Sequence, residues 1–152
     1  MRRRSPASGE DRRGIAAVEL ALMLPLLAFV LVASVDFARV FYFGMVIDGC
    51  ARNGAFYGQI TAIDPASRFK SLQAAALADA NANGLTPAPA VATGYGSAPA
   101  GPFQATLANP AYVQVTVTWT FTTLIRYPGI PSQTVLTRAC VMPVPATSPV
   151  SN

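Results

Sequence analysis

The sequence predicts an α+β fold: a long N-terminal transmembrane helix continuing as a stalk, with a small antiparallel β-sheet and a short second helix packed on it. Three observations lead there. An apolar run of 21 residues from Ile15 to Val35 holds a single charge, Glu19. From Asp36 to Gln59 apolar residues persist but polar ones enter, as on a helix leaving one solvent for another. From Tyr112 to Thr122 apolar and polar residues alternate strictly, the period of a half-buried strand.

The 152 residues leave room for one small domain beside a membrane segment. Charged residues make up 12% of the chain, against the roughly 25% usual in a soluble domain, and the apolar excess lies between Ile15 and Val35. The net charge of +4 is also localised. Residues 1–14 carry five arginines against Glu10 and Asp11, whereas residues 15–152 carry six basic and five acidic groups. A nucleic-acid surface would need its basic residues clustered on the folded part. A basic flank before an apolar span instead holds the N-terminus in the cytoplasm and sends the C-terminus across.

A helix of 21 residues reaches ~31 Å, which matches a hydrocarbon core of ~30 Å. A secretory signal peptide has an apolar core of only ~7–15 residues and a small-x-small cleavage site. The sequence LVASVDFAR at the end of this run offers no clean site of that kind. Within the run, Pro25 lacks an N–H, so the carbonyl of Ala21 loses its helical partner and a bend is expected. Glu19 is the sharper anomaly, because a carboxylate at mid-bilayer costs about 2.5–3.5 kcal/mol even on lenient scales. Its place near the cytoplasmic end lowers that cost.

The surroundings of Glu19 give it a second reading. The basic run ends in Arg12-Arg13-Gly14, and Gly14 stands immediately before the first apolar residue, with Glu19 five positions on. This arrangement resembles the class III signal of type IV pilins, which a membrane prepilin peptidase cuts after the glycine while leaving the helix attached. The resemblance implies cleavage between Gly14 and Ile15, with Glu19 fifth in the mature chain and available to pair with the new amine of a neighbouring subunit. Ala16-Ala17-Val18-Glu19-Leu20-Ala21-Leu22 followed by Leu24-Pro25-Leu26-Leu27 is similar to the N-terminal signature of the TadE-like family, pseudopilins of the tight-adherence (Flp) pilus system. Two further segments resemble that family, Asp36-Phe37-Ala38-Arg39-Val40-Phe41-Tyr42 and Ala51-Arg52-Asn53-Gly54-Ala55-Phe56-Tyr57. Leu20 departs from the aromatic usual after the glutamate. Asn53 and Phe56 stand where the family often has Glu and Arg.

The remaining elements follow in order. Asp48 and Arg52 form an i,i+4 acid–base pair on the stalk, worth a few tenths of a kcal/mol. Gly44, Gly49, Gly54 and Gly58 each weaken a helix by up to ~1 kcal/mol, which leaves its continuity open. Their expected use is the close approach of a sheet or of a partner helix. Asp64-Pro65 reads as an N-cap and first helical residue of a second helix reaching about Ala82, with Phe69, Leu72 and Ala76 on one face and Asn83-Gly84 as its stop. Residues 85–110 read as loop with one weak strand at most. After Tyr112–Thr122, Tyr127-Pro128-Gly129-Ile130-Pro131 is the connection to an antiparallel strand over Ser132–Met142.

Cys50 and Cys140 both follow the span, so an exported, oxidising compartment predicts a disulfide between them; two separate buried thiols are the other reading. Closing a loop of about 90 residues would contribute at most ~4–5 kcal/mol. The expected domains are a cytoplasmic leader (1–14), the transmembrane helix (15–35), the stalk (36–59), a small exported domain (60–143) and a flexible tail (144–152).

No histidine is present, so the usual general base of hydrolytic chemistry is missing. No His/Cys cluster suits a metal and no glycine-rich loop after a strand suits a phosphate. The expectation is therefore a non-enzymatic protein without metal, cofactor, small-molecule substrate or nucleic-acid partner. The family resemblance implies a pseudopilin or minor pilin-like subunit in the bacterial inner membrane, its C-terminal domain periplasmic. It implies the prepilin peptidase, the lipid bilayer and other pilus or secretion-machine subunits as partners, with Glu19 and Pro25 serving assembly. The rival is an exported protein unrelated to pili, for which Arg12-Arg13 would serve in twin-arginine export and against which Glu19 counts.

Overall fold

The computed structural model describes residues 9–60, 71–126, 129 and 131–145, with side chains of the first helix placed from Gly14 to Gln59. It holds helix α1 (Gly9–Ile60), helix α2 (Leu72–Ala82) and strands β1 (Ala90–Gly96), β2 (Tyr112–Thr122) and β3 (Gln133–Pro143). The fold class is α+β, as the sequence predicts. The chain divides into two compact units, Met1–Arg39 and Val40–Asn152, and α1 contributes to both. The division falls inside the segment read as stalk.

In the first unit, every described side chain from Gly14 to Leu31 is exposed. The helix continues through Pro25. Ser34 Oγ donates to the Val30 carbonyl at 2.8 Å, one turn back, so the hydroxyl needs no outside partner. Arg39 Nη1 donates to Asp36 Oδ1 at 3.0 Å just past the apolar run, where the first charges reappear.

The second unit is built on β2. Its alternation works as expected: Val113, Val115, Val117, Trp119 and Phe121 are buried, while the intervening glutamine and threonines face outward. β2 is the middle strand of a three-stranded antiparallel sheet ordered β1-β2-β3. Residues Tyr112–Thr122 pair with Pro143–Gln133 in an unbroken register that sets Val113 opposite Met142 and Val115 opposite Cys140. β1 is the weak strand expected between residues 85 and 110, and its Ala90–Gly96 pairs with Thr118–Tyr112. Val144 N donates to the Ala111 carbonyl at 2.8 Å, so the chain stays bound one residue past β3, at the start of the expected tail.

α2 begins at Leu72, later than the expected Pro65. Ser71 is its N-cap, extended at φ −161°, and its hydroxyl accepts from Ala74 N at 3.1 Å. Asp64, Pro65 and Phe69, like Tyr127, Pro128 and Ile130 of the expected connection and the leader arginines Arg2, Arg3 and Arg4, lie outside the described residues. The helix stops where the sequence says. Gly84 takes the left-handed conformation at φ +67°, Leu85 N donates to the Ala80 carbonyl and Gly84 N to that of Asn81, both at 3.1 Å. That is a Schellman ending, and Leu85 anchors it in the core.

The sheet and α2 both lie on the α1 segment that follows Val40. Ile47, Cys50, Ala51 and Ala55 join Val115, Val117, Trp119 and Phe121 in the core. Phe43 stacks against Trp119 at 4.9 Å and Phe121 at 6.1 Å. The helix glycines are what admit the neighbours. A Cβ on Gly54 would stand 3.0 Å from a methyl of Val115 and 3.1 Å from Ala76 Cβ, and one on Gly58 would collide with Leu72. A Cβ on Gly44 would meet only Arg138 Nη2, at an ordinary 3.7 Å.

Opposite outcomes are therefore expected for two alanine substitutions. Alanine in a helix interior gains ~0.5–1 kcal/mol over glycine, but over-packing a tight contact costs ~1–3 kcal/mol. Gly44→Ala should raise the thermal midpoint of the full chain in detergent, followed by circular dichroism, and Gly54→Ala should lower it. A rise at both positions would show that close packing is not what Gly54 provides.

Candidate functional site

Gly14, Ile15, Glu19 and Pro25 all lie on the exposed part of α1. A Cβ on Gly14 would meet nothing within 4 Å, so this glycine, unlike Gly54 and Gly58, has no packing reason to be one. Gly14 is not at the helix boundary that the sequence suggested, because α1 begins at Gly9. A cut at this position would need the turn from Gly9 to Gly14 to unwind, since proteases bind their substrates extended. Terminal turns fray at small cost, and a glycine lowers that cost further.

Ile15 and Glu19 are four residues apart and so share one face of the helix. Both are exposed, and among the described residues Glu19 has no hydrogen-bond or ion-pair partner. A carboxylate in an apolar stretch with no partner among the described residues is a group that a second molecule can satisfy. Pro25 lies six residues further on, away from that face, and lacks the N–H that would bond the Ala21 carbonyl.

Further along α1, Asp48 and Arg52 form the expected pair, with Arg52 Nε 3.0 Å from Asp48 Oδ2. Asp79 on α2 is a residue that sequence reading passed over. Its Oδ2 accepts from Asn53 Nδ2 at 3.2 Å and faces Gly49, where a Cβ would stand 3.0 Å away. This explains the departure at Asn53. A glutamate there would set two carboxylates together, whereas the amide donates. Tyr42 Oη donates to Asn83 Oδ1 at 3.2 Å, so polar contacts tie α2 to α1 at two levels. No local signal marks Asp79, because its role depends on which helix face meets α1.

The expected Cys50–Cys140 disulfide is not formed; both cysteines are free thiols. Both touch the same core, but their surroundings differ. Cys50 is fully buried and feels the Asp79 carboxylate of α2, while Cys140 is half-buried and feels Arg52 and Asp48.

Against this geometry, residues 14–55 match the family described as TadE-like protein. The match begins at Gly14 and takes in Glu19, Pro25 and the helix as far as Ala55, under a third of the 152 residues. α2 and the three strands lie beyond it. No curated protein and no solved structure matches the chain.

The thiols make two measurable differences. Burial pushes the Cys50 thiol up to about 11, the Asp79 carboxylate adding to the rise, and burial also raises Cys140, opposed by the Arg52 guanidinium. In the folded chain iodoacetamide should alkylate Cys140 well before Cys50, with both reacting on unfolding. The unfolded Cys50 thiol ionises near 9.0 while the folded one keeps its proton to about 11, so the folded state binds more protons in that window. Stability should be intact below pH 9 and fall as pH rises toward 11. Cys50→Ala should flatten that fall in denaturant titrations; an equally steep fall would assign it to other groups.

Proposed function

We propose that the chain is a non-enzymatic pseudopilin or minor pilin-like subunit of a Tad (Flp) pilus machine. It is anchored in the bacterial inner membrane by Ile15–Val35, with the N-terminus cytoplasmic and the second unit periplasmic. The observation that carries the reading is the TadE-like match, which starts at Gly14 and contains Glu19 and Pro25. Two physical points support it. α1 is long and apolar enough between Gly14 and Gln59 to cross a membrane, and among the described residues its side chains from Gly14 to Leu31 are exposed. Gly14 is free of packing demands, as a recognition glycine would be.

In this reading the prepilin peptidase cuts between Gly14 and Ile15 and leaves a helix with a new amine at Ile15. Glu19, a turn away on the same face, pairs with the amine of an adjacent subunit. In a medium of low dielectric, pairing offsets much of the desolvation that an isolated carboxylate suffers. The apolar helix enters or primes a bundle of similar helices. The second unit supplies contacts with other pseudopilins or secretion-machine subunits, and it needs neither metal nor cofactor for that.

N-terminal sequencing of the mature protein should begin at Ile15. A start near Asp36 would instead mean removal of the apolar run, and would overturn the reading in favour of ordinary or twin-arginine export. Gly14→Phe should leave in the membrane a precursor longer by the 14 leader residues. Glu19→Gln should insert and be cleaved as wild type does, yet fail to co-purify with partner subunits. Normal co-assembly of that variant would remove Glu19 from any role in pairing.

A further inference from the structure

The second unit has two ends along the axis of its α1 segment, and side-chain contacts identify them. Gly54 and Gly58 lie against Val115 and Val113, and Phe43 lies against Trp119 and Phe121. β2 therefore runs antiparallel to α1, and the β2–β3 turn sits at the Val40 end of the unit. β2 ends at Thr122, and Leu124 follows two residues on, past Phe121 at the Phe43 end of the α1 segment. Chain connectivity puts the end of the apolar run, Val35, five residues before Val40.

Exposed apolar residues are gathered at this same end. Leu124 and Ile125 in the turn are 60% and 50% exposed, and Arg126 beside them is exposed too. Phe41, Tyr42 and Met45 are exposed on the helix around Phe43, and Val135 is exposed opposite Thr120, next to Phe121. These residues lie on different sides of the unit. Tyr42 reaches toward α2, Met45 borders the groove beside Leu136 and Arg138, and Val135 is on the outer face of the sheet. At the opposite end, among the described residues, Phe56 is the one large apolar side chain more than half exposed.

We infer that the β2–β3 turn, through Leu124, Ile125 and Arg126, seats in the headgroup region of the same bilayer that the N-terminal helix crosses, an inference that rests on the membrane anchoring proposed above. A flat lipid surface meets a belt of apolar residues around one end of a domain all at once, whereas a single protein partner would cover one side of it. Leucine and isoleucine enter the headgroup–acyl boundary by ~5–10 Å while a neighbouring cation stays at the phosphates. Exposed aromatic residues such as Phe41 and Tyr42 are favoured at that depth.

Tryptophan quenching in vesicles tests this. The chain's single tryptophan, Trp119, is 7% exposed and gives a common background. Full-length Ile125→Trp, Phe29→Trp and Phe56→Trp variants would be reconstituted in phosphatidylethanolamine–phosphatidylglycerol vesicles whose acyl chains carry bromine near the headgroup. The expected result is quenching of Ile125→Trp several-fold stronger than that of Phe56→Trp, with Phe29→Trp quenched as an inserted control. If Phe29→Trp is quenched and Ile125→Trp is no more so than Phe56→Trp, the turn does not touch lipid and the anchor stands. If Phe29→Trp is not quenched, the anchor and the turn contact both fall.

Discussion

The second unit depends on how closely α2 and β2 can come to one helix. At Gly54 a Cβ would meet Val115, Ala76 and the Leu72 carbonyl within 3.4 Å, so three chain segments converge where α1 has no side chain. At Gly58 a Leu72 methyl fills the space that a side chain would take. A helix with ordinary residues at these positions would hold the sheet and α2 further off and open gaps between them, and close-packed interiors tolerate few gaps. The helical propensity given up at each glycine is small beside the packing it permits. Ala51, Ala55, Ala76 and Ala80, all fully buried, extend the same strategy of small residues at a helix interface.

The three-stranded sheet could not stand without that surface. Each strand of β2–β3 is 11 residues long, but β1 has only seven, and a sheet of this size needs one face covered. α1 covers it. Phe43, Trp119 and Phe121 form the aromatic end of the core, and Trp119 Nε1 donates to the Pro87 carbonyl at 2.8 Å, so the indole also fastens the segment leading into β1. Phe103 folds back over Gly94 and Gly96 of β1, and Tyr95 and Gln104 exchange backbone hydrogen bonds, which protects one edge of the sheet. On β3, the other edge strand, Arg138 registers opposite Val117 on the inward side yet stays exposed. A charge so placed discourages a further strand from pairing there.

The two units solve different solvent problems. The first turns apolar side chains outward from Gly14 to Leu31, and its one internal hydroxyl near the end of the run, on Ser34, is satisfied within the helix. The second buries its apolar side chains and faces threonines outward along β2. A single helix serves both because its sequence changes character past Val35. Asp36 and Arg39 pair there, and Gly54 and Gly58, which admit β2 closely, come further on.

Much of this was legible in the residues. Periodicity alone set the limits of β2, because a strand with one buried face needs period two and few other structures satisfy it. Local chemistry also set the end of α2, where Asn83-Gly84 permits the left-handed turn that helix ends favour. The long apolar N-terminal helix followed from length and composition. Tertiary structure decided the rest. It made α1 continuous across four glycines, since packing outweighed propensity there, and it started α2 at Ser71 instead of Asp64. It also left Cys50 and Cys140 unpaired, although both touch one core, and it gave Asp79 its place against Asn53 and Gly49. Each of those outcomes depends on which side of a helix meets which neighbour, a relation between residues far apart in the chain that no local pattern encodes.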